Sequence, residues 1–227
     1  MILYKDIEKI DLYLDLSTFC NAGCPQCNRT DRYGLSKWAW IPNKMWTIGR
    51  IKKAYPKELS IGKVTMCGTW GDPFMVKDID KMIYYFLEIG CDVKVNTNAS
   101  MRDTYFWYEL AARAKELGNL EVFFDVDGTT PEMHAHYRRK TDLNQVLDNM
   151  EAFTLAGGVA RVHTIVFEHN EKHLKEIREM VISRGATEVT FQKSNRDFTR
   201  DEFWFEDENG TRQVLRRSHA DLQKELE

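Results

Sequence analysis

The run Thr18-Phe19-Cys20-Asn21-Ala22-Gly23-Cys24-Pro25-Gln26-Cys27-Asn28-Arg29 spaces three cysteines as C-x3-C-x2-C. Three thiolates on one short loop can take three corners of a four-iron cluster and leave the fourth iron without a protein ligand. An iron left open in this way can bind a substrate or cofactor, whereas a structural metal site closes its coordination shell. Other readings of the cysteines fit less well. Five cysteines is an odd count, and three of them crowd one loop, which does not suit a disulfide framework. A zinc knuckle needs a fourth ligand at suitable spacing, and no second C-x2-C or paired His follows. His169 and His173 are four apart, but they stand far along the chain at the start of an amphipathic helix and read as solvated polar positions.

Outward from this loop, strand-like and helix-like segments alternate. Leu12 to Leu16 reads as a short strand that leads into the cysteines. Pro42 to Lys53 reads as a helix, Lys63 to Cys67 as a buried strand. Ile79, Met82, Ile83, Phe86 and Leu87 repeat at helical spacing, with Gly90 as a stop. Asp92 to Asn96 is a strand, and Phe106, Leu110, Ala114 and Leu117 mark a helix closed by Gly118. Leu120 to Val126 is a strand, Leu143, Val146, Leu147 and Met150 a helix, and Ala160 to Val166 a strand. Leu174, Ile177 and Val181 form a last helical stripe before the strand Glu188 to Phe191. Six strands separated by helices imply a parallel sheet with right-handed crossovers. The count and order suit a partial (β/α)6 TIM-like barrel, although alternation alone also permits a doubly wound sheet. After about Gln192 the rhythm stops. The reading is therefore a core over residues 1–192 and a polar C-terminal tail over 193–227. Within the tail, Phe203-Trp204-Phe205 and Gln213-Val214-Leu215 flank Asn209-Gly210, a hairpin signal, and Ser218 to Glu227 reads as a short exposed helix or a disordered end.

Composition sets outer limits. A chain of 227 residues with 43% hydrophobic and 30% charged residues has the make-up of one ordinary globular domain. A net charge of −3 argues against generic binding to a nucleic-acid backbone, which needs a basic footprint. No apolar run approaches the roughly 20 residues that span a bilayer. Met1 to Asp6 lacks the layout of an export signal. Reduced cysteines then place the chain in a cytoplasmic, reducing compartment, away from membranes.

The cysteine spacing and its place after the first strand resemble the radical S-adenosylmethionine (radical SAM) superfamily. That family carries an aromatic residue just before the last cysteine; Gln26 stands there in this chain. Further likenesses follow at successive strand ends, where parallel β/α folds build their sites. Cys67-Gly68-Thr69-Trp70-Gly71-Asp72-Pro73 resembles the family's Gly-Gly-Glu-Pro segment, with inserted residues and Asp for Glu. Asn96-Thr97-Asn98-Ala99 resembles its Thr-Asn-Gly. Asp125-Val126-Asp127-Gly128, with Pro131, Glu132, His134, Arg138 and Arg139, resembles the Ser-Ile-Asp-Gly…Pro-Glu-x-His…Arg-Gly stretch of the MoaA-like, SPASM-type, peptide-modifying branch. Asp125 replaces that serine. His163 to Phe167 and Asn170 resemble a strand-then-Asn segment. Each feature taken singly also reads as a turn, a cap or a surface ion pair. In this order, over roughly residues 11–192, coincidence is a poor explanation.

The resemblance implies a [4Fe–4S] cluster on Cys20, Cys24 and Cys27, with SAM chelated at the open iron. It implies that Gly68, Gly71 and Asp72 hold the SAM amino group, with Asn98 beside them. Asp125 would bond the ribose, Arg138 would clamp the carboxylate as a charge-assisted fork, and the backbone at Val166 would meet the adenine. Reductive cleavage of SAM would then yield a 5′-deoxyadenosyl radical that takes hydrogen from a substrate, the hard chemistry being the cofactors'. A low-potential donor such as flavodoxin or ferredoxin is implied. The substrate is left open among a peptide, a nucleotide and a small molecule, as are the catalytic residues and the class, oxidoreductase or transferase. No cysteine follows Cys91, so the cysteine-rich C-terminal domain of the nearest branch, with its second cluster, is not expected here. Trp38, Trp40 and Trp46 could stack on a base or sugar or belong to the core. Arg29, Arg32 and Lys37 could meet an anion or be solvated. The rival readings are a non-catalytic or degenerate iron–sulfur or SAM-binding protein and a small zinc-bound interaction module.

Overall fold

Hydrophobic alternation along six short segments becomes six parallel strands in the computed structural model, which describes residues 9–226, the side chain of Leu226 excepted. The strands are β1 (Ile10–Asp15), β2 (Ile61–Cys67), β3 (Asp92–Thr97), β4 (Leu120–Asp125), β5 (Val159–Val166) and β6 (Glu188–Lys193). They pair in chain order, β1 beside β2 through to β5 beside β6, all parallel. A doubly wound sheet would reverse its order at a switch point. No reversal occurs here, so the architecture is the partial (β/α)6 TIM-like barrel.

Six helices make the crossovers: α1 (Ile48–Ala54), α2 (Ile79–Glu88), α3 (Thr104–Leu117), α4 (Pro131–Tyr137), α5 (Leu143–Leu155) and α6 (Leu174–Ser183). Four of them, α1, α3, α4 and α5, start at a side-chain cap, whereas α2 and α6 have none. Asp103 accepts from Phe106 N, Thr130 from Met133 N and Asp142 from Asn144 N. Helix α1 starts six residues later than the sequence suggests, because the preceding stretch is held extended. Thr18 Oγ1 donates to Pro42 O at 2.7 Å, and Trp46 N to Leu16 O at 2.9 Å. Helix α4 was not foreseen; it is only seven residues long and too short to show a periodicity.

Each strand buries one face under the helices. Val64, Met66, Val95, Val122, Phe124, Ala160 and Val162 are fully buried there. Trp107 on α3 sits among Phe74, Phe124 and Phe153, with ring centroids 4.2 to 6.0 Å away. The other, concave face is polar and partly exposed. Lys94, Glu121 and Arg161 form ion pairs across it at 2.9 and 3.1 Å.

Beyond the sheet, β7 (Glu202–Glu206) and β8 (Arg212–Arg216) pair as an antiparallel hairpin. Asp207 closes its turn by accepting from Asn209 N and Thr211 N, both at 2.9 Å. The hairpin packs Phe205 and Leu215 against Ala22, Cys24, Leu35, Tyr137 and Phe167, a second apolar cluster beside the cysteine loop. A short 3-10 turn, Lys224–Leu226, follows. No helix among the described residues is long and apolar enough to cross a membrane. The reading of Met1 to Asp6 lies outside the described residues.

Candidate active site

The cysteine loop leaves the C-terminal end of β1 and is tied down at every turn. Cys27 N donates to Cys24 O at 3.0 Å, and Gly23 N to Arg139 O at 2.9 Å. Buried Arg29 reaches back with Nε to Thr18 O at 3.0 Å. The loop after β2 docks against it. Asp72 N donates to Phe19 O at 2.8 Å, and a Cβ at Gly71 would collide with the backbone oxygens of Ser17 and Phe19. Only glycine allows that approach.

Cys20, Cys24 and Cys27 line one cavity of about 340 Å³, within the range of small-molecule sites. Gly68, Gly71, Asp72, Asn98, Asp125 and Arg138 line the same cavity. Val166 does not; its neighbour Ile165 and, two further back, His163 do. Burial pushes the Cys20 thiol up to about 12, with Asp72 adding to it, and raises Cys24 as well. A metal takes the thiolate and displaces such protons. Among the described residues, no three His, Cys, Asp or Glu side chains converge tightly enough for a single metal ion. Three thiols on one cavity wall are a donor set that fits a four-iron cluster with one corner open. Asn98 Nδ2 reaches Cys20 Sγ at 3.6 Å, the kind of outer hydrogen bond that tunes a cluster sulfur.

Asp72 is almost fully buried and its carboxylate is well served. It accepts from Phe74 N at 2.9 Å, Thr97 Oγ1 at 2.9 and 3.0 Å, Asn98 N at 2.9 Å and Asn98 Nδ2 at 2.8 Å. Burial raises its pKa, and these hydrogen bonds oppose the rise. The ends of β2 and β3 are thus joined beneath the cavity. Ala99, next in line, takes φ +54, a left-handed conformation that favours glycine. Asn149 of α5 holds it there by donating to Ala99 O at 2.9 Å.

Arg138 follows α4 and bridges two carboxylates from the end of β4. Its Nε donates to Asp127 at 2.5 Å and its Nη1 to Asp125 at 2.8 Å. Asp127 is wholly buried and also accepts from Ile165 N at 2.7 Å, tying β4 to β5. Its own N–H donates to His134 Nδ1 at 3.2 Å, and His134 Nε2 meets Thr141 Oγ1 at 3.0 Å. His134 is therefore neutral with its proton on Nε2, and burial pulls its pKa down to about 4. Asp125 is less enclosed and faces the cavity. Burial lifts its pKa to about 6 against the pull of Arg138, and Asp127 adds to the rise.

Gln26 has a role of its own. Its side chain accepts from Ser194 Oγ at 2.8 Å and donates to Asp197 O at 3.3 Å. Arg196, between them, donates to Asn28 at 2.7 Å and enters the cavity wall. Sequence reasoning missed Arg196 because nothing in the tail's composition marks it. Trp70 was also missed, a residue inserted within the loop after β2. Cys67 is half-buried on the concave face, whereas Cys91 is buried with its Sγ 3.5 Å from Ile61 O. His169 is not solvated as the sequence suggested. It stacks on Phe167 with centroids 5.7 Å apart, and burial lowers its pKa to about 4.

The profile of the Radical SAM superfamily matches residues 14–181. An AdoMet-dependent heme synthase of Methanosarcina barkeri is 22% identical over 173 residues, which is 76% of this chain and 47% of that protein. Among solved structures, Streptococcus suis SuiB bound to S-adenosylmethionine superposes with a TM-score of 0.65 at 13% identity, over 83% of this chain and 41% of SuiB. The structure of anSMEcpe with bound AdoMet superposes with a TM-score of 0.63 at 16% identity, over 82% of this chain and 50% of that one. The chain thus spans half the length of these relatives or less.

Proposed function

Because the chain belongs to the radical SAM superfamily, we propose that it is an enzyme holding a [4Fe–4S] cluster on Cys20, Cys24 and Cys27 and cleaving SAM reductively. When bound, the cluster and SAM supply an electron and a 5′-deoxyadenosyl radical able to take hydrogen from a peptide, nucleotide or small-molecule substrate. The observation that carries this reading is the convergence of three thiols and four strand ends on one cavity.

The chain's own residues bind and orient. Gly68 and Gly71 bring backbone carbonyls close to the SAM amino group. Asp72, already met by Thr97 and Asn98, adds negative charge there and fixes Asn98 beside Cys20. Asp125 offers the ribose a carboxylate oxygen. Arg138, held flat by its two aspartates, offers its remaining Nη donor to the SAM carboxylate. The backbone at Val166, with Ile165 in the cavity wall, meets the adenine. Residues 1–192 act as the catalytic core, and the tail from 193 onward closes the cluster side through Gln26 and the β7–β8 hairpin. A flavodoxin or ferredoxin supplies the electron, in the cytoplasm.

Anaerobic reconstitution tests the ligands. About four irons per chain are expected. Cys20→Ala, Cys24→Ala and Cys27→Ala should each lose the cluster's absorption and iron, while Cys67→Ala and Cys91→Ala keep them. Equal loss in the Cys91 variant would overturn the assignment.

A further inference from the structure

A second cavity, about 460 Å³, opens beside the first and shares Cys27 and Arg196 with it. Its wall is built from four separate stretches of chain. Trp38 and Trp40 come from the segment after the cysteines, Trp70 from the loop after β2, Arg196 from the tail and Phe203 from β7. Trp40 is 66% exposed, a large apolar surface to leave in water. It meets Trp70 edge-on, with centroids 5.8 Å apart. Asp15 fixes Trp70 by accepting from its N–H at 3.3 Å and from Thr69 N at 3.0 Å. Trp46 takes no part; it packs near Tyr55.

The cations divide in the same way. Arg29 is spent on Thr18 O, and Lys37 donates to Ile41 O within its own loop. Arg32 is different. Its guanidinium lies 3.9 Å from the Trp204 ring centroid and 4.8 Å from that of Phe203. Its Nε is buried without a hydrogen bond, and among the described residues it has no carboxylate partner. The Arg196 side chain makes one neutral hydrogen bond, to Asn28, and likewise no ion pair among the described residues. Asp197 is the single acid in the wall; its main-chain carbonyl accepts from Gln26 Nε2, and its carboxylate forms no ion pair with either arginine among the described residues. Two unneutralised guanidinium groups therefore flank a tryptophan-lined slot in a chain of net charge −3.

Indole faces take planar rings, and guanidinium groups take phosphate oxygens as paired donors. Resting on the function proposed above, the geometry points to this cavity as the substrate site and to a nucleotide as its occupant. The base stacks among Trp38, Trp40 and Trp70, and the phosphate lies toward Arg32 and Arg196. The cavity's shared wall at Cys27 sets that substrate next to the place where SAM would be cleaved.

Calorimetry on the cluster-loaded 227-residue chain tests this, with and without SAM. The probes are GMP and UMP, the matching nucleosides and ribose 5-phosphate. GMP or UMP should bind saturably and more weakly as salt rises. The nucleoside and ribose 5-phosphate should each bind at least about tenfold more weakly, since each lacks one half of the recognition. Trp40→Ala and Arg196→Gln should each lower the nucleotide affinity about fivefold to a hundredfold. Absence of nucleotide binding in a preparation that titrates normally with SAM would overturn this inference and leave the proposed function standing. Ribose 5-phosphate binding as tightly as GMP would overturn it too, as an anion site without base recognition, as would an unchanged affinity in Trp40→Ala. Failure of SAM to bind would instead count against the proposed function, and the nucleotide titration would still be read independently.

Discussion

At Arg138, one guanidinium serves two carboxylates of the β4 end, Asp127 and Asp125, at 2.5 and 2.8 Å. Removing it leaves two acids without their cation in a nearly dry place. Arg138→Ala should therefore lower unfolding free energy by about 3–5 kcal/mol in urea titrations of the apoprotein. Arg138→Lys should recover only part, because an ammonium cannot form the planar fork. A loss no larger than that of an exposed arginine would show that the pair is merely a surface contact. His134 allows a test by pH. Its folded pKa, about 4, lies below the ordinary 6.5. The neutral ring's contribution is thus complete above about pH 6.5 and is lost as pH falls toward 4. By pH 5 the loss is about 2 kcal/mol. The drop in stability from pH 7 to pH 5 should shrink by about that amount in His134→Gln, and equal drops in the two proteins would contradict a buried neutral imidazole. These residues stood in the sequence as members of a motif, but their division of labour did not. Asp125 and Asp127 are two apart on one chain, and only the packing of α4 and β5 shows that Asp127 joins elements while Asp125 faces the cavity.

Gly71 shows how one element fixes another. The loop after β2 lies so close to the cysteine loop that a methyl group has no room between Gly71 and the backbones of Ser17 and Phe19. Backbone cannot step aside as a side chain can, so Gly71→Ala should cost at least about 1–3 kcal/mol and loosen the cysteine loop. Gly49 in α1 is the control. A Cβ there meets nothing within 4 Å, and Gly49→Ala should stabilise by roughly 0.5–1 kcal/mol through helix propensity. Thermal unfolding of both variants checks the pair, and similar shifts would mean that the tight approach at Gly71 is unimportant. The strands were legible because β2 to β5 alternate so regularly against helices of clear period. The start of α1 was not, since Pro42 to Met45 is held extended by contacts to Thr18 and Leu16, far away in sequence. Trp70 was not legible for a similar reason. Its role depends on Asp15 holding an inserted loop toward Trp40, and neither spacing nor composition records that.

At the scale of the whole molecule, one face of the sheet is sealed by helices and the other is polar. The tail packs against the cysteine loop, where its Phe205 and Leu215 share an apolar cluster with Cys24 and Tyr137. The cysteine spacing and the strand rhythm, read together, pointed to both the family and the barrel. The contact of Gln26 with Ser194 and Asp197 spans most of the chain, and no local pattern could have shown it. Generation of a radical from SAM is the chemistry proposed for this assembly. It is tested most directly by incubating the anaerobically reconstituted protein with SAM and a strong reductant and separating the products. The expected products are 5′-deoxyadenosine and methionine, formed at least slowly without substrate and absent in Cys24→Ala. Iron and SAM bound in full with no 5′-deoxyadenosine formed would contradict it and identify a non-catalytic relative. Methylthioadenosine as the sole product would contradict it too, by placing different chemistry at the same loop.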